Sequence, residues 1–125
     1  MRTIQVESAP KAIGPYSQAI EANGFLFLSG QIPIDPLTSE VIKGDVVAQT
    51  RQVMKNIQLI LESEGLTLNH IVKTTIFIKD MNQFSLINDE YGRFLGHNLP
   101  ARSTVEVSRL PKDVWIEIEV VAISQ

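Results

Sequence analysis

Apolar and polar residues alternate along several short stretches of the chain, which is the pattern of strands that bury one face. The alternation predicts strands at residues 3–6, 17–21, 25–29, 71–79, 102–108 and 114–123, with a further short strand near 40–42. Asn23-Gly24 lies between two of these runs, and both residue types accept the positive φ angles of a tight hairpin turn. The second and third strands are therefore predicted to form a hairpin.

Two segments instead repeat their apolar residues at the period of an α-helix. The first begins at Asp45, a residue type that caps helices, and runs to about Glu64, where Gly65 ends it. The second covers about Gln83–Leu95 and is capped by Asp80 or Asn82. Each helix presents one apolar stripe, made of Val46, Val53, Met54, Ile57, Ile60 and Leu61 in the first, and of Phe84, Ile87, Tyr91, Phe94 and Leu95 in the second.

The order of elements, β-β-β-α-β-α-β-β, predicts a single α+β domain that spans residues 1–125. One mixed sheet would carry both helices on one face, because the two stripes can cover only one side. The other face would present Phe77, Trp115, Val121 and Ile123 among polar residues. Nothing else in the chain can cover that face, so it is predicted to be an interface between subunits.

The last two strands are predicted to pair as a hairpin, because Leu110–Asp113 between them contains a proline and an aspartate, which favour a turn. If the valines of one strand and the isoleucines of the other share a core, Arg102, Glu117 and Glu119 share the opposite face. The three charges could form a ladder of ion pairs, which the pattern slightly favours. Alternatively, the arginine could bind a carboxylate while the glutamates orient a water molecule.

Two further stretches could line a binding site. Tyr16 follows Gly14-Pro15 on a loop and could offer its hydroxyl to a ligand, or simply pack. Ser29-Gly30 ends a strand, where a glycine would let a ligand approach the backbone. The chain contains neither a glycine-rich nucleotide motif nor a serine-nucleophile motif.

Composition narrows the classes of function. The net charge of −3 argues against a nucleic-acid binder, and the absence of cysteine excludes thiol chemistry. His70 and His97 stand apart from any pattern of metal ligands, so no metal site is predicted. The N-terminus does not resemble a signal peptide and no apolar run is long enough to span a membrane, so we expect a cytoplasmic protein without a membrane partner.

Four blocks of the sequence resemble the RidA (YjgF) branch of the Rid superfamily. They are Ala12–Gln18, Ser29–Pro33, Lys73–Met81 and Pro100–Glu119, and the last is close to the signature of the family. The resemblance extends over nearly the whole chain. It implies a chorismate-mutase-like α+β fold and a homotrimer whose sheets surround a central barrel, with three ligand clefts between adjacent subunits.

The resemblance also implies an activity. Members of this branch hydrolyse reactive 2-enamino and 2-imino acids, such as 2-aminoacrylate and 2-aminocrotonate, to 2-keto acids and ammonia, without a cofactor. Arg102 would bind the substrate carboxylate, and Glu117 would hold or activate the attacking water. The other positions that match pocket residues of the family are Tyr16, Ser29, Gly30 and Asn88, whereas Glu119 matches a position with a structural role.

One residue departs from the family pattern. Most members have a cysteine where this chain has Thr104, which lies on the same strand face as Arg102 and would line the cleft. Hydrolysis of an imine needs no thiol, because its carbon is already electrophilic and a positioned water suffices. We therefore expect an active deaminase. The alternatives are a regulatory module that senses 2-keto acids or amino acids without turnover, and a nuclease or translation inhibitor, which the acidic charge disfavours.

Overall fold

Six strands form the main sheet of the computed structural model, which describes residues 1–124. Their order is β1-β2-β3-β8-β6-β7, while β4 and β5 form a separate two-stranded sheet. β6 and β7 run parallel, and the other neighbouring strands are antiparallel. The predicted mixed sheet is confirmed. The strands are β1 (Arg2–Ile4), β2 (Ala19–Ala22), β3 (Phe25–Gln31), β4 (Ile34–Asp35), β5 (Glu40–Val41), β6 (Ile71–Ile78), β7 (Ala101–Glu106) and β8 (Ile116–Ile123).

The predicted β2–β3 hairpin is also confirmed. Asn23 and Gly24 have φ angles of 52° and 80°, so both adopt the left-handed conformation that a two-residue turn requires. Ala22 pairs with Phe25 directly beside the turn. The turn fixes the register of β2 on β3. The loop that precedes β2 therefore lies at the end of this hairpin away from the turn, where Ala19 pairs with Leu28.

The two helices, α1 (Val46–Glu62) and α2 (Phe84–Leu95), pack on one face of the main sheet. The Asp45 carboxylate accepts a hydrogen bond of 2.9 Å from the amide of Ala48 and so begins α1 as predicted. The predicted α1 stripe is buried throughout, and in α2 the rings of Phe84 and Phe94 are only partly buried. No helix within residues 1–124 has the length and apolarity to cross a membrane.

The predicted hairpin between β7 and β8 is wrong. β6 lies between these strands and pairs with both of them. β8 presents Ile116, Ile118, Val120 and Ala122 to the helices, all of them buried, and this apolar content suits a central position. β7 is mostly polar and exposed, as edge strands usually are. The proline turn before β8 therefore leads the chain across β6 instead of back along β7.

The sheet face opposite the helices is uncovered within residues 1–124, as the pattern predicted. Its apolar side chains lie on four neighbouring strands, so they form one continuous surface. We call this surface the open face. Its most exposed large apolar residues are Phe25, Phe27, Val105, Trp115 and Ile123, which are 38–46% exposed.

Candidate active site

Arg102 lies on the edge strand β7 and points to the helices. It is in register with Thr74 of β6, whose side chain is buried beneath α2. The guanidinium carbon lies 5.5 Å from the centre of the Phe84 ring and 5.4 Å from that of Tyr91. One guanidinium nitrogen donates a 2.6 Å hydrogen bond to Oδ1 of Asn88. The guanidinium thus lies against one side of α2, where Phe84, Asn88 and Tyr91 are spaced by four and three positions.

A cavity of about 470 Å³ opens beside this arginine. Arg102 and Asn88 line it together with Leu99 and Pro100. Thr104 lies two residues further along β7 on the same face, as predicted, and its hydroxyl oxygen is buried without a hydrogen-bond partner in the described chain. Arg102 has no carboxylate within 4 Å among residues 1–124. The cation is therefore held by rings and an amide, and remains available to an anion.

Glu117 lies on β8 and points to the open face, opposite Phe77 of β6. A Cβ atom placed on Gly30 would lie only 2.0 Å from Oε2 of Glu117, so the carboxylate occupies the space that a side chain at position 30 would fill. The β3–β8 register shifts between Leu28 and Gln31, which brings the backbone of Gly30 under the carboxylate. The missing side chain of Gly30 is thus what allows Glu117 its position.

Burial raises the pKa of Glu117 above its usual range, and the negative charge of Glu119 raises it further. Both carboxylates line a cleft of about 540 Å³. A half-buried carboxylate with a raised pKa beside a cleft has the properties of a general base or of a group that orients water. The predicted ladder between Arg102 and these glutamates is not formed.

The predicted residues Tyr16, Ser29 and Gly30 line the same cleft as Glu117. Tyr16 is 52% exposed, and its hydroxyl accepts a 3.4 Å hydrogen bond from the amide of Ile13. The Ser29 hydroxyl already donates to the carbonyl of Ser17 at 2.6 Å, so it can meet a ligand only as an acceptor. The walls are completed by three residues that the pattern did not single out, Ile13, Ile32 and Pro111.

The candidate residues therefore form two groups on opposite faces of the sheet. Arg102, Asn88 and Thr104 face the helices, whereas the Glu117 cleft lies on the open face. The expectation that Arg102 shares a face with Glu117 and Glu119 is wrong. Alternation fixes which residues of one strand share a face, but it does not say which face of a second strand lies on the same side of the sheet. In the structure Val105 lies on the open face, whereas the β8 residues Ile116 and Ile118 face the helices.

The sequence reasoning also missed the surroundings of Arg102. The helical pattern places Phe84 and Tyr91 in the core stripe of the second helix, and only the family resemblance points to Asn88. The spacing of Phe84, Asn88 and Tyr91 could have indicated that they act together, because residues at i, i+4 and i+7 lie on one side of a helix. No group of three or more potential metal ligands occurs among residues 1–124.

Comparisons with known proteins identify the family. The model of the endoribonuclease L-PSP family matches residues 6–124. A RutC family protein of Pyrococcus horikoshii is 59% identical over 119 residues, which cover 95% of this chain and 94% of the relative. The 2-iminobutanoate/2-iminopropanoate deaminase of Escherichia coli is 51% identical over 125 residues, 98% of this chain and 97% of the relative.

A solved structure has the same fold. The crystal structure of Escherichia coli TdcF with bound serine matches with a TM-score of 0.93 and 43% identity, over 98% of both chains. The chain therefore belongs to the endoribonuclease L-PSP family. Within it, the chain is a member of the RidA (YjgF) branch of the Rid superfamily, as its sequence blocks indicated. The crystal structure of the YjgF gene product of Escherichia coli matches it with a TM-score of 0.94 and 48% identity over the full length of both chains.

Proposed function

We propose that this protein hydrolyses reactive 2-imino acids and their 2-enamino tautomers, including 2-aminoacrylate and 2-aminocrotonate, to 2-keto acids and ammonia. The observation that carries the proposal is the guanidinium of Arg102, which is held by α2 beside a cavity without a carboxylate partner among residues 1–124. Similarity to a deaminase and to a structure with a bound amino acid supports this reading. The net charge of −3 disfavours RNA as the substrate.

The proposed reaction needs a carboxylate anchor and an activated water. Arg102 binds the substrate carboxylate through two parallel hydrogen bonds. Glu117, in its ionised form, accepts a proton from water as the water oxygen bonds to C2 of the protonated imine, and the C–N π pair moves onto the nitrogen. Glu117 passes that proton to the carbinolamine nitrogen, which leaves as ammonia when the C–N bond breaks. The hydroxyl oxygen then becomes the carbonyl of the 2-keto acid, and its proton returns to Glu117. Tyr16 would donate its hydroxyl to the bound intermediate, and no cofactor takes part.

A complete site requires two copies of the chain. In one chain Arg102 and Glu117 face away from each other across the sheet, with β6 between their strands. We therefore propose that the two groups meet in clefts between adjacent subunits of a homotrimer. The exposed apolar side chains of the open face are suited to pack around the centre of such an assembly. The number three comes from the family resemblance.

The direct test is an assay of the wild-type protein coupled to a threonine dehydratase, with serine as a second substrate. We expect the release of 2-keto acid to accelerate with added protein, although Thr104 replaces the usual cysteine. Equal rates with and without the protein would refute the proposed activity. If the protein then still bound 2-ketobutyrate, the ligand-sensing alternative would be favoured.

The shared cleft predicts complementation between two inactive variants. Arg102→Ala and Glu117→Gln subunits, unfolded together and refolded, should recover about a quarter of wild-type activity, because one cleft in four receives both intact residues by chance. The measurement is the coupled assay, with each variant refolded alone as the control. If mass spectrometry shows mixed oligomers but no activity returns, both residues must act within one subunit.

The contact of Gly30 with Glu117 predicts the effect of a single methyl group. Gly30→Ala should lower kcat/KM by about a hundredfold, because the new Cβ displaces the carboxylate from the reacting water. The melting temperature should change little, since the Glu117 side chain can swing into the cleft. Wild-type kcat/KM in this variant would show that the present position of the carboxylate is unimportant.

A further inference from the structure

The side of α2 that faces β7 has features of a preformed seat for the Arg102 guanidinium. Phe84, Asn88 and Tyr91 follow one another along the helix, and each contacts the guanidinium. Aromatic faces attract a cation without forming hydrogen bonds to it. The two rings can therefore orient the guanidinium while leaving most of its N–H groups free. An ion pair with a carboxylate would instead consume the donors that a ligand needs.

The Tyr91 ring is itself fixed. Its hydroxyl lies 2.8 Å from the hydroxyl oxygen of Thr74, and both groups are buried. Thr74 is the β6 residue in register with Arg102. The hydrogen bond thus ties the ring to the neighbouring strand at the level from which the arginine projects. Sheet, ring and guanidinium form one connected unit.

Such a unit explains how an exposed arginine on an edge strand can bind in one geometry. A free arginine side chain has several rotatable bonds and loses conformational entropy when a ligand orders it. A guanidinium held in advance loses less, and its planar fork meets a carboxylate from a defined direction. Asn88 occupies one N–H group, so the ligand is directed to the remaining edge of the fork.

We infer that Phe84 and Tyr91 are positioning residues that set the orientation of Arg102 for carboxylate binding. The inference rests on the proposed function for the identity of the ligand, a 2-keto or 2-imino acid. It goes beyond that function by assigning an aromatic seat on α2, with Thr74 as its anchor. The seat acts through Arg102, and its Tyr91 ring also lines the cavity beside the guanidinium.

The test measures binding and turnover separately, in the full-length protein. Isothermal titration with 2-ketobutyrate gives the Kd, and the coupled assay gives kcat and KM. Phe84→Leu and Tyr91→Leu should each weaken 2-ketobutyrate binding roughly tenfold and raise KM in parallel, with a smaller effect on kcat. Phe84→Tyr keeps an aromatic ring and should restore the wild-type Kd. Tyr91→Phe keeps the ring but loses its hydrogen bond to Thr74. Its Kd for 2-ketobutyrate should lie between those of the wild-type protein and Tyr91→Leu.

A matched control lies on the same helix. Phe94 packs against the core but is not one of the rings beneath the guanidinium, so Phe94→Leu should lower the melting temperature without changing the Kd. Because Phe84 is only partly buried, Phe84→Leu decides the question if Tyr91→Leu does not fold.

The outcomes separate the inference from the proposed function. If the wild-type protein binds 2-ketobutyrate through Arg102 but does not accelerate imine loss, the proposed function fails, while a tenfold effect of Phe84→Leu still supports the seat. An unchanged Kd in folded Phe84→Leu and Tyr91→Leu overturns the inference even in an active enzyme. Absence of Arg102-dependent binding of 2-ketobutyrate overturns it as well.

Discussion

Replacing Arg102 with alanine should lower kcat/KM for imine hydrolysis by a hundredfold or more. The substitution removes a charged anchor that makes two hydrogen bonds, and its loss costs at least about 3 kcal/mol of transition-state binding. The dehydratase-coupled assay measures the effect. A variant that accelerates keto-acid release as well as the wild-type protein would refute the role of this arginine.

Arg102→Lys provides the sharper comparison. Lysine keeps the positive charge, but it offers a point charge in place of a planar fork and cannot stack on the rings of α2 in the same way. We expect it to recover little of the lost activity. Arg2→Ala is the matched control, because Arg2 is an exposed arginine whose partners, Glu21 and Glu64, lie away from the cleft. That variant should retain wild-type kcat/KM.

The second large effect is expected from Glu117→Gln. The amide cannot accept the proton of the attacking water, so kcat should fall by about a hundredfold or more. In the wild-type protein the acidic limb of the kcat/KM profile should lie at higher pH than for an ordinary glutamate, because burial and Glu119 raise the pKa of Glu117. Glu119→Gln removes the neighbouring charge and should move that limb to lower pH.

Ionisation of Glu117 is required for the proposed activity, but it should lower the stability of the folded protein. A carboxyl group whose pKa is raised by folding holds more protons in the folded state than in the unfolded state. Stability therefore falls as the pH rises from the usual pKa of glutamate through the raised one. Glu117→Gln should be more stable than the wild-type protein near neutral pH, as denaturant titration would show. Glu62→Gln, on the exposed side of α1, is the control for both measurements.

The elements of the fold could be predicted because local chemistry decides them. Asn23-Gly24 and Asp45 set a turn and a helix start through their own backbone and side-chain preferences. The pairing of β7 with β6 could not be predicted in this way. This pairing depends on which strand occupies the centre of the sheet, and that position is decided by how much apolar surface each whole strand can bury.

The site was predictable only in its parts. Strand alternation singled out Arg102 and Glu117, the end of a strand singled out Gly30, and the family resemblance gave them roles. Nothing in the sequence indicated that the two charged residues face opposite sides of the sheet. The contact between Gly30 and Glu117 depends on a register shift in β3, and the Tyr91–Thr74 hydrogen bond joins a helix to a strand. Such contacts arise from tertiary packing, which periodicity along one element does not report.

The separation of Arg102 and Glu117 on the two faces of one chain has a kinetic consequence. If each subunit holds only half of the machinery, the concentration of working sites follows the association equilibrium, not the total amount of protein. Specific activity then declines on dilution below the dissociation constant of the assembly. A substitution far from the substrate, such as one at Phe25 on the open face, would lower turnover by mass action while leaving each remaining site unaltered.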